Sequence, residues 1–82
     1  MTLAAFKSLD YKGKVTATQK AVCIGGRDLP KFKVMLYQLG SFYVEVFYHT
    51  KYSYINSVRA FDDMELLEPY LDKIPLQNIL LN

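Results

Sequence analysis

The sequence predicts an α+β fold: a small antiparallel meander of three or four strands with a short N-terminal helix and a kinked C-terminal helical segment. Two runs rich in β-branched and aromatic residues, Lys31–Leu39 and Phe42–His49, flank a Gly-Ser pair that suits a tight turn. Farther along, apolar residues recur at helical spacing after Asp62. A chain of 82 residues that is 51% hydrophobic has room for one core, so residues 1–82 are expected to form a single domain.

The first predicted element is a short helix. Thr2 is a favourable N-cap residue, and Leu3 and Phe6 then lie along one side of the helix. The tetrapeptide that follows has Asp10 in its first position and Gly13 in its fourth, a pattern typical of a type I turn. We therefore expect a helix and then a turn before residue 14.

Residues 14–24 fit two interpretations. Their Val, Thr and Ile content favours a strand. Helical spacing is also present, at Tyr11, Val15, Thr18 and Val22. We predict a strand over the later part of this segment. Gly25-Gly26 and Pro30 then predict a loop, because glycine and proline favour turns over regular strands.

The central hairpin is the clearest element. Gly40-Ser41 fits a two-residue type II′ turn, since glycine tolerates the positive φ that the first central position requires. That turn fixes the register of the two strands. It places Leu39 opposite Phe42 on one face of the sheet and Leu36 opposite Glu45 on the other.

A third strand is predicted over Tyr54–Phe61, with its register left open because the preceding loop lacks a diagnostic turn pair. Asp62 or Asp63 is then expected to cap a helical segment. The apolar stripe of that segment is formed by Leu67, Leu71 and Ile74, with Leu66 and Tyr70 beside it. Pro69 predicts a kink or a second short piece, and Pro75 is expected to end it.

Composition excludes several classes of protein. A single cysteine, Cys23, cannot form an internal disulfide, and together with the single histidine, His49, it leaves too few soft ligands for a structural zinc site. Lys7 interrupts the N-terminal apolar stretch too early for a signal peptide, and no apolar run approaches the roughly 18 residues that cross a bilayer. We therefore predict a soluble cytoplasmic protein from a reducing compartment, with no metal, cofactor or membrane partner.

Charge is distributed unevenly along the chain. The net charge of +2 is too small to indicate a nucleic-acid or membrane partner by itself. Residues 1–34 carry seven basic and two acidic side chains, whereas residues 35–82 carry three basic and six acidic ones. Two independently solvated surfaces are the ordinary interpretation of such a pattern, and attraction within the fold, between copies or towards a partner is the alternative.

Three short stretches of the later part of the chain resemble small uncharacterised proteins of Bacteroidetes-type bacteria. They are Leu36-Tyr37, Phe42-Tyr43-Val44-Glu45-Val46 and Leu67-Glu68-Pro69-Tyr70-Leu71. The resemblance covers roughly the last 50 residues, and residues 1–30 have no counterpart in it. It implies an α+β fold and no particular activity.

Few residues suggest catalysis. Glu45 lies between two valines in the middle of the hairpin, where a desolvated carboxylate can become a general acid. The more ordinary interpretations are that this face of the sheet meets solvent, or that Glu45 and Arg59 form a semi-buried charge pair across the third strand. His49 is expected to be an exposed strand-end histidine and Cys23 a buried small apolar residue. Gly25-Gly26-Arg27 lacks the directly following helix of a phosphate loop. These residues form no convincing catalytic set, so we predict that the protein is not an enzyme.

Aromatic residues provide the main functional signal. They crowd the hairpin and the loop after it, and one sheet face is predicted to carry a candidate interaction surface of Phe32, Tyr43, Phe47, Tyr52 and Tyr54. Such a face is packed by the N-terminal segment, forms a homodimer or other protein interface, or stacks single-stranded nucleic acid. We predict a protein-interaction module that self-associates through this face or through an edge strand. Nucleic-acid binding is the alternative, with Lys31, Lys33, Lys51 and Arg59 as the neighbouring basic residues.

Overall fold

The computed structural model describes residues 1–70. Its elements are helices α1 (Leu3–Lys7) and α2 (Tyr11–Thr18), strands β1 (Val22–Asp28), β2 (Phe32–Leu39), β3 (Phe42–His49) and β4 (Ile55–Phe61), and a 3₁₀ helix (Met64–Tyr70). The strands form one antiparallel sheet in the order β1-β2-β3-β4. The predicted α+β meander is therefore confirmed.

The N-terminal helix begins as predicted, but the turn prediction was wrong. Thr2 caps α1, its hydroxyl oxygen accepting a hydrogen bond from the Ala5 N–H at 3.1 Å. Asp10 caps a second helix in the same way, accepting from the Gly13 N–H at 2.8 Å. An aspartate that can begin a turn can also begin a helix, and here the helical spacing that follows decides between them.

The segment 14–24 combines both interpretations. It stays helical to Thr18, and the predicted strand over its later part is confirmed from Val22 onward. The predicted loop at Gly25-Gly26 was wrong, because both glycines lie within β1, opposite Leu36 and Met35. A β-carbon on Gly26 would lie 3.2 Å from the Val34 carbonyl oxygen, so here glycine permits a close approach of backbones within the sheet.

The central hairpin and its register are confirmed. Gly40 has φ +65°, as the first central residue of a type II′ turn requires. Leu39 lies opposite Phe42 and Leu36 opposite Glu45, and all eight residue pairs of the two strands follow the same register.

The third predicted strand corresponds to β4, which begins one residue later than expected. Its register places Arg59 opposite Glu45, with Asn56 as an extra residue between the paired Ile55 and Ser57. Asp63 caps the following segment, its carboxylate accepting from the Glu65 N–H at 2.9 Å. This segment is a 3₁₀ helix with Pro69 inside it. The predicted contributions of Leu71, Ile74 and Pro75 lie outside the described residues.

The sheet has two differently covered faces. The helix face carries Phe42, Val44 and Val46, which pack with Phe6 of α1. The aromatic face carries Val34, Leu36 and Phe61, which pack with Leu67 and Tyr70 of the 3₁₀ helix. The simplest of the three interpretations, in which the N-terminal segment packs against the aromatic face, was therefore wrong. The N-terminal segment covers the opposite face.

Candidate interaction surface

One end of the aromatic face carries a continuous group of rings. Phe32 lies edge-on to Phe47, with ring centroids 6.4 Å apart, and edge-on to His49 at 5.6 Å. The imidazole of His49 in turn stacks on Tyr54 at 5.3 Å, only 10° from parallel, and lies 4.9 Å from Tyr52. We call these five residues the aromatic cluster. It arises because β2, β3 and the β3–β4 loop meet at this end of the sheet.

Hydrogen bonds hold the β3–β4 loop in the shape that brings its two tyrosines to His49. The Ser53 N–H donates to the His49 carbonyl at 2.9 Å, and the His49 N–H donates to the Tyr54 carbonyl at 2.8 Å. The imidazole Nδ1 accepts from the Lys51 N–H at 3.2 Å and from the Tyr52 N–H at 3.4 Å. Ser53 adopts a left-handed φ of +55°, which turns the chain back towards β4.

The cluster is graded from buried to exposed. Phe32 and Phe47 are half-buried against the core, whereas Tyr54 is 48% exposed and Tyr52 is 63% exposed. Four of the five residues proposed from the sequence for the interaction surface are thus brought together. The fifth, Tyr43, lies on the same face at the other end of the sheet, where it stacks on Phe61 at 5.7 Å.

A buried charge separates Tyr43 from the aromatic cluster. Glu45, in the middle of β3, is only 1% exposed, so the interpretation in which its face meets solvent was wrong at this position. Its Oε2 accepts a 2.5 Å hydrogen bond from the Tyr70 hydroxyl and a 3.3 Å hydrogen bond from Arg27 Nη2. Arg59 Nε lies 3.3 Å from its Oε1. The carboxylate is therefore surrounded by two guanidinium groups and a phenol.

This charged centre also changes the chemistry of its partners. Burial, followed by the hydrogen bond to Glu45, raises the pKa of Tyr70 to about 12. Interaction with the Tyr70 hydroxyl, ahead of that with Glu45, raises the pKa of Arg27. Tyr70 hydrogen-bonds to a carboxylate that is itself 1% exposed, and this burial suits a structural anchor better than a general acid that must reach a substrate.

Sequence reasoning identified Glu45 and Arg59 but missed Arg27 and Tyr70. Arg27 was assigned to a loop, although reading Gly25-Gly26 as strand would have placed it on the face of Glu45. Tyr70 approaches from the 3₁₀ helix, across 25 positions of sequence, and no local pattern indicates that contact.

The other candidate residues stand apart from one another. Cys23 is a free, exposed residue of β1, so the prediction of a buried residue was wrong. His49 is half-buried within the aromatic cluster instead of exposed at the strand end. Within residues 1–70, no group of three or more His, Cys, Asp or Glu side chains is arranged to hold a metal ion. No helix in the same part of the chain has the length and apolar character to cross a membrane.

Comparison with known proteins yields no relative. The chain matches no protein-family model, no curated protein and no solved structure at a significant level. The function must therefore be argued from the geometry of the aromatic face.

Proposed function

We propose that this protein is a small non-enzymatic interaction module that self-associates through its aromatic cluster. The observation that carries the proposal is the exposure of Tyr52 and Tyr54 at the end of a continuous aromatic group. Tyrosine is enriched at protein interfaces, because its ring supplies a large apolar area and its hydroxyl a hydrogen bond. A second copy of the chain is the proposed partner, because it presents the same exposed rings for the cluster to pack against.

The construction of the loop supports a binding role. Both tyrosines are held against His49 by stacking, and the backbone around them is held by hydrogen bonds to His49. Side chains already ordered in the free protein lose little further conformational freedom on association. Lys51 lies over the Tyr52 ring, with its ammonium 5.3 Å from the ring centroid, so its charge has a local partner within each copy.

The edges of the sheet are less suited to self-association than the aromatic cluster. Both edge strands contain an extra residue, Ile24 in β1 and Asn56 in β4. Such bulges twist an edge and discourage the addition of another strand. Of the two routes to a dimer expected from the sequence, the face is therefore favoured over the edge.

Single-stranded nucleic acid is a second candidate partner for the same cluster. The observation in its favour is that Lys51 lies over the exposed Tyr52 ring, and rings bordered by basic side chains stack bases. Lys31 is joined to the same loop, its carbonyl accepting a hydrogen bond from the Thr50 N–H at 3.1 Å. Lys33 favours this partner less, because Asp28 lies 3.3 Å from its ammonium. Binding to an oligonucleotide would weaken with added salt, whereas an apolar dimer would not.

The test is a double variant, Tyr52→Ser with Tyr54→Ser, examined by sedimentation velocity. We expect a dimeric wild type and a monomeric variant with an unchanged circular dichroism spectrum, because both side chains lie outside the core. Tyr11→Ser is the matched control, since Tyr11 is also an exposed tyrosine but lies on α2. A variant as dimeric as wild type contradicts the proposal.

The nucleic-acid alternative is tested with the same proteins. Fluorescence anisotropy of a labelled single-stranded oligonucleotide is followed at low and high salt, with Lys51→Ala added to the set. Salt-sensitive binding that is lost in the tyrosine double variant and weakened in Lys51→Ala would favour nucleic acid. If the anisotropy of the oligonucleotide does not change on addition of wild-type protein at low salt, the nucleic-acid alternative is contradicted.

A further inference from the structure

A cavity of about 230 Å³ lies on the helix face, on the side of the sheet away from the aromatic cluster. Its floor is formed by Val46 and Val58, which are cross-strand neighbours, and by Ile55. Helix α2 forms the opposite wall through Val15 and Thr18. The cavity thus lies between a helix and three strands, and it is independent of the proposed self-association.

The composition of α2 explains why this space is not filled. The helix has the sequence YKGKVTAT, and the residues it places over the sheet have short side chains. Thr18 is its one buried residue, and its hydroxyl is already used in a 2.8 Å hydrogen bond to the Lys14 carbonyl. A helix that served only to close a core would carry leucine or phenylalanine here, because protein interiors leave few voids.

The polar groups at the rim define what the cavity accepts. Two tyrosines, Tyr37 and Tyr48, line it beside the apolar floor. Burial, ahead of the interaction with the Tyr48 hydroxyl, raises the pKa of Tyr37 to about 12. Like any tyrosine at neutral pH, Tyr37 keeps its proton and can donate a hydrogen bond. The residues that line the cavity include no Asp, Glu, Lys or Arg, so a charged ligand would lack a counter-charge.

We propose that this cavity is a binding site for a small neutral molecule, one ring or a branched aliphatic group in size, that carries one hydroxyl or carbonyl oxygen. The apolar part would lie on Val46 and Val58, and the oxygen would accept a hydrogen bond from Tyr37. The volume supports this size, since an apolar cavity of about 150 Å³ already accommodates benzene. A small pocket with few polar groups is the usual form of such sites.

The experiment titrates ¹⁵N-labelled protein with three probes of equal non-hydrogen atom count: acetophenone, benzoate and isopropylbenzene. We expect saturable shifts with acetophenone, centred on Val15, Thr18, Val46 and Val58 and absent from the aromatic cluster. Benzoate should cause no saturable shift, because its charge has no partner in the cavity. Equal binding of benzoate and acetophenone overturns the proposal, as does the absence of a saturable shift with acetophenone.

Two variants separate a specific site from general partitioning. Thr18→Leu fills the cavity and should abolish acetophenone binding, while Thr16→Leu, an exposed position of the same helix, should leave it unchanged. Val15→Phe fills the same space from one turn earlier in α2 and replaces Thr18→Leu if that variant fails to fold. Retained binding in a folded, filled variant overturns the proposal.

Tyr37→Phe tests the hydrogen bond. Loss of one neutral hydrogen bond corresponds to about a five- to tenfold weaker Kd for acetophenone. The affinity for isopropylbenzene, which has no oxygen, should not change. An equal loss for both probes would contradict the assigned role of the Tyr37 hydroxyl.

Discussion

The two faces of the sheet are covered in different ways. On the helix face, α1 and α2 close an apolar core around Phe6 and Phe42 and leave a cavity beside α2. On the aromatic face, among residues 1–70, the 3₁₀ helix covers the middle of the sheet through the packing of Leu67 and Tyr70 and the hydrogen bond from Tyr70 to the buried Glu45. Within the same part of the chain, Tyr52 and Tyr54 of the aromatic cluster stay exposed.

This difference shows how one small domain combines a tolerant and a specific mode of packing. Apolar contacts are non-directional and accept some repacking, whereas a buried carboxylate demands particular donors at particular positions. Glu45, through its hydrogen bond with Tyr70, therefore adds a directional contact to the apolar packing of the 3₁₀ helix. Within residues 1–70, Tyr52 and Tyr54 remain exposed at the cluster end of this face.

Glu45→Ala is expected to cause the largest loss of stability of the variants considered, and to act on the aromatic face. Removing the carboxylate leaves the buried Tyr70 hydroxyl and the half-buried Arg27 guanidinium without their partner, so we expect the free energy of unfolding to fall by about 3–5 kcal/mol. Urea denaturation measures the loss. Glu68→Ala, at an exposed position of the 3₁₀ helix, is the control and should change the stability by less than about 0.5 kcal/mol. A comparable loss in both variants would show that Glu45 is not an anchor.

Alkaline pH is expected to lower the free energy of unfolding through one tyrosine on each face of the sheet. Tyr37 and Tyr70 have pKa values of about 12 in the folded protein, against 10.0 for an unperturbed tyrosine. The unfolded chain therefore releases these protons first. Their stabilising contribution is complete below pH 10 and is lost as the pH rises towards 12, by up to about 2–3 kcal/mol for the buried Tyr70 and by less for the partly exposed Tyr37.

Single variants assign this alkaline loss to a face. In Tyr70→Phe the contribution of the aromatic face disappears from the pH dependence, and in Tyr37→Phe that of the helix face disappears. Urea denaturation at several pH values between 10 and 12 gives the slopes. If the free energy of unfolding of both variants changed with pH as it does in the wild type, the assignment of the alkaline loss to Tyr37 and Tyr70 would be contradicted.

Asp10→Ala is expected to cause the smallest loss of stability, and to act on the helix face. It removes the cap of α2, and we expect a loss of about 1 kcal/mol, with reduced protection of the first amides of the helix in hydrogen exchange. Amides of β3 next to Glu45 should keep their relative protection. Equal changes on both faces would mean that the two covers do not act independently.

The parts of this fold that the sequence predicted are those encoded locally. Gly40-Ser41 determines a turn, and the turn determines the hairpin register. Some local patterns are compatible with two structures, and there the prediction was wrong. Asp10 was predicted to begin a turn, and it caps helix α2 instead. At Gly25-Gly26 the need for close backbone packing in the sheet outweighs the preference of glycine for loops.

The candidate site was predicted only in part, for a physical reason. Ring placement along β2 and β3 follows from alternation, so Phe32 and Phe47 were assigned to one face. His49 was not grouped with Tyr54, because their stacking depends on the left-handed Ser53 and on hydrogen bonds within the loop. The partners of Glu45 from β1 and the 3₁₀ helix depend on tertiary packing, which no short pattern encodes.

The most direct test of the central claim is the absolute mass of the wild-type protein in solution, measured by light scattering at low and high salt. Self-association through apolar rings predicts a dimer at both salt concentrations, since screening acts on charges and not on apolar contacts. A dimer that dissociates at high salt would assign the interface to the oppositely charged parts of the chain. A monomer at every concentration and salt would contradict self-association.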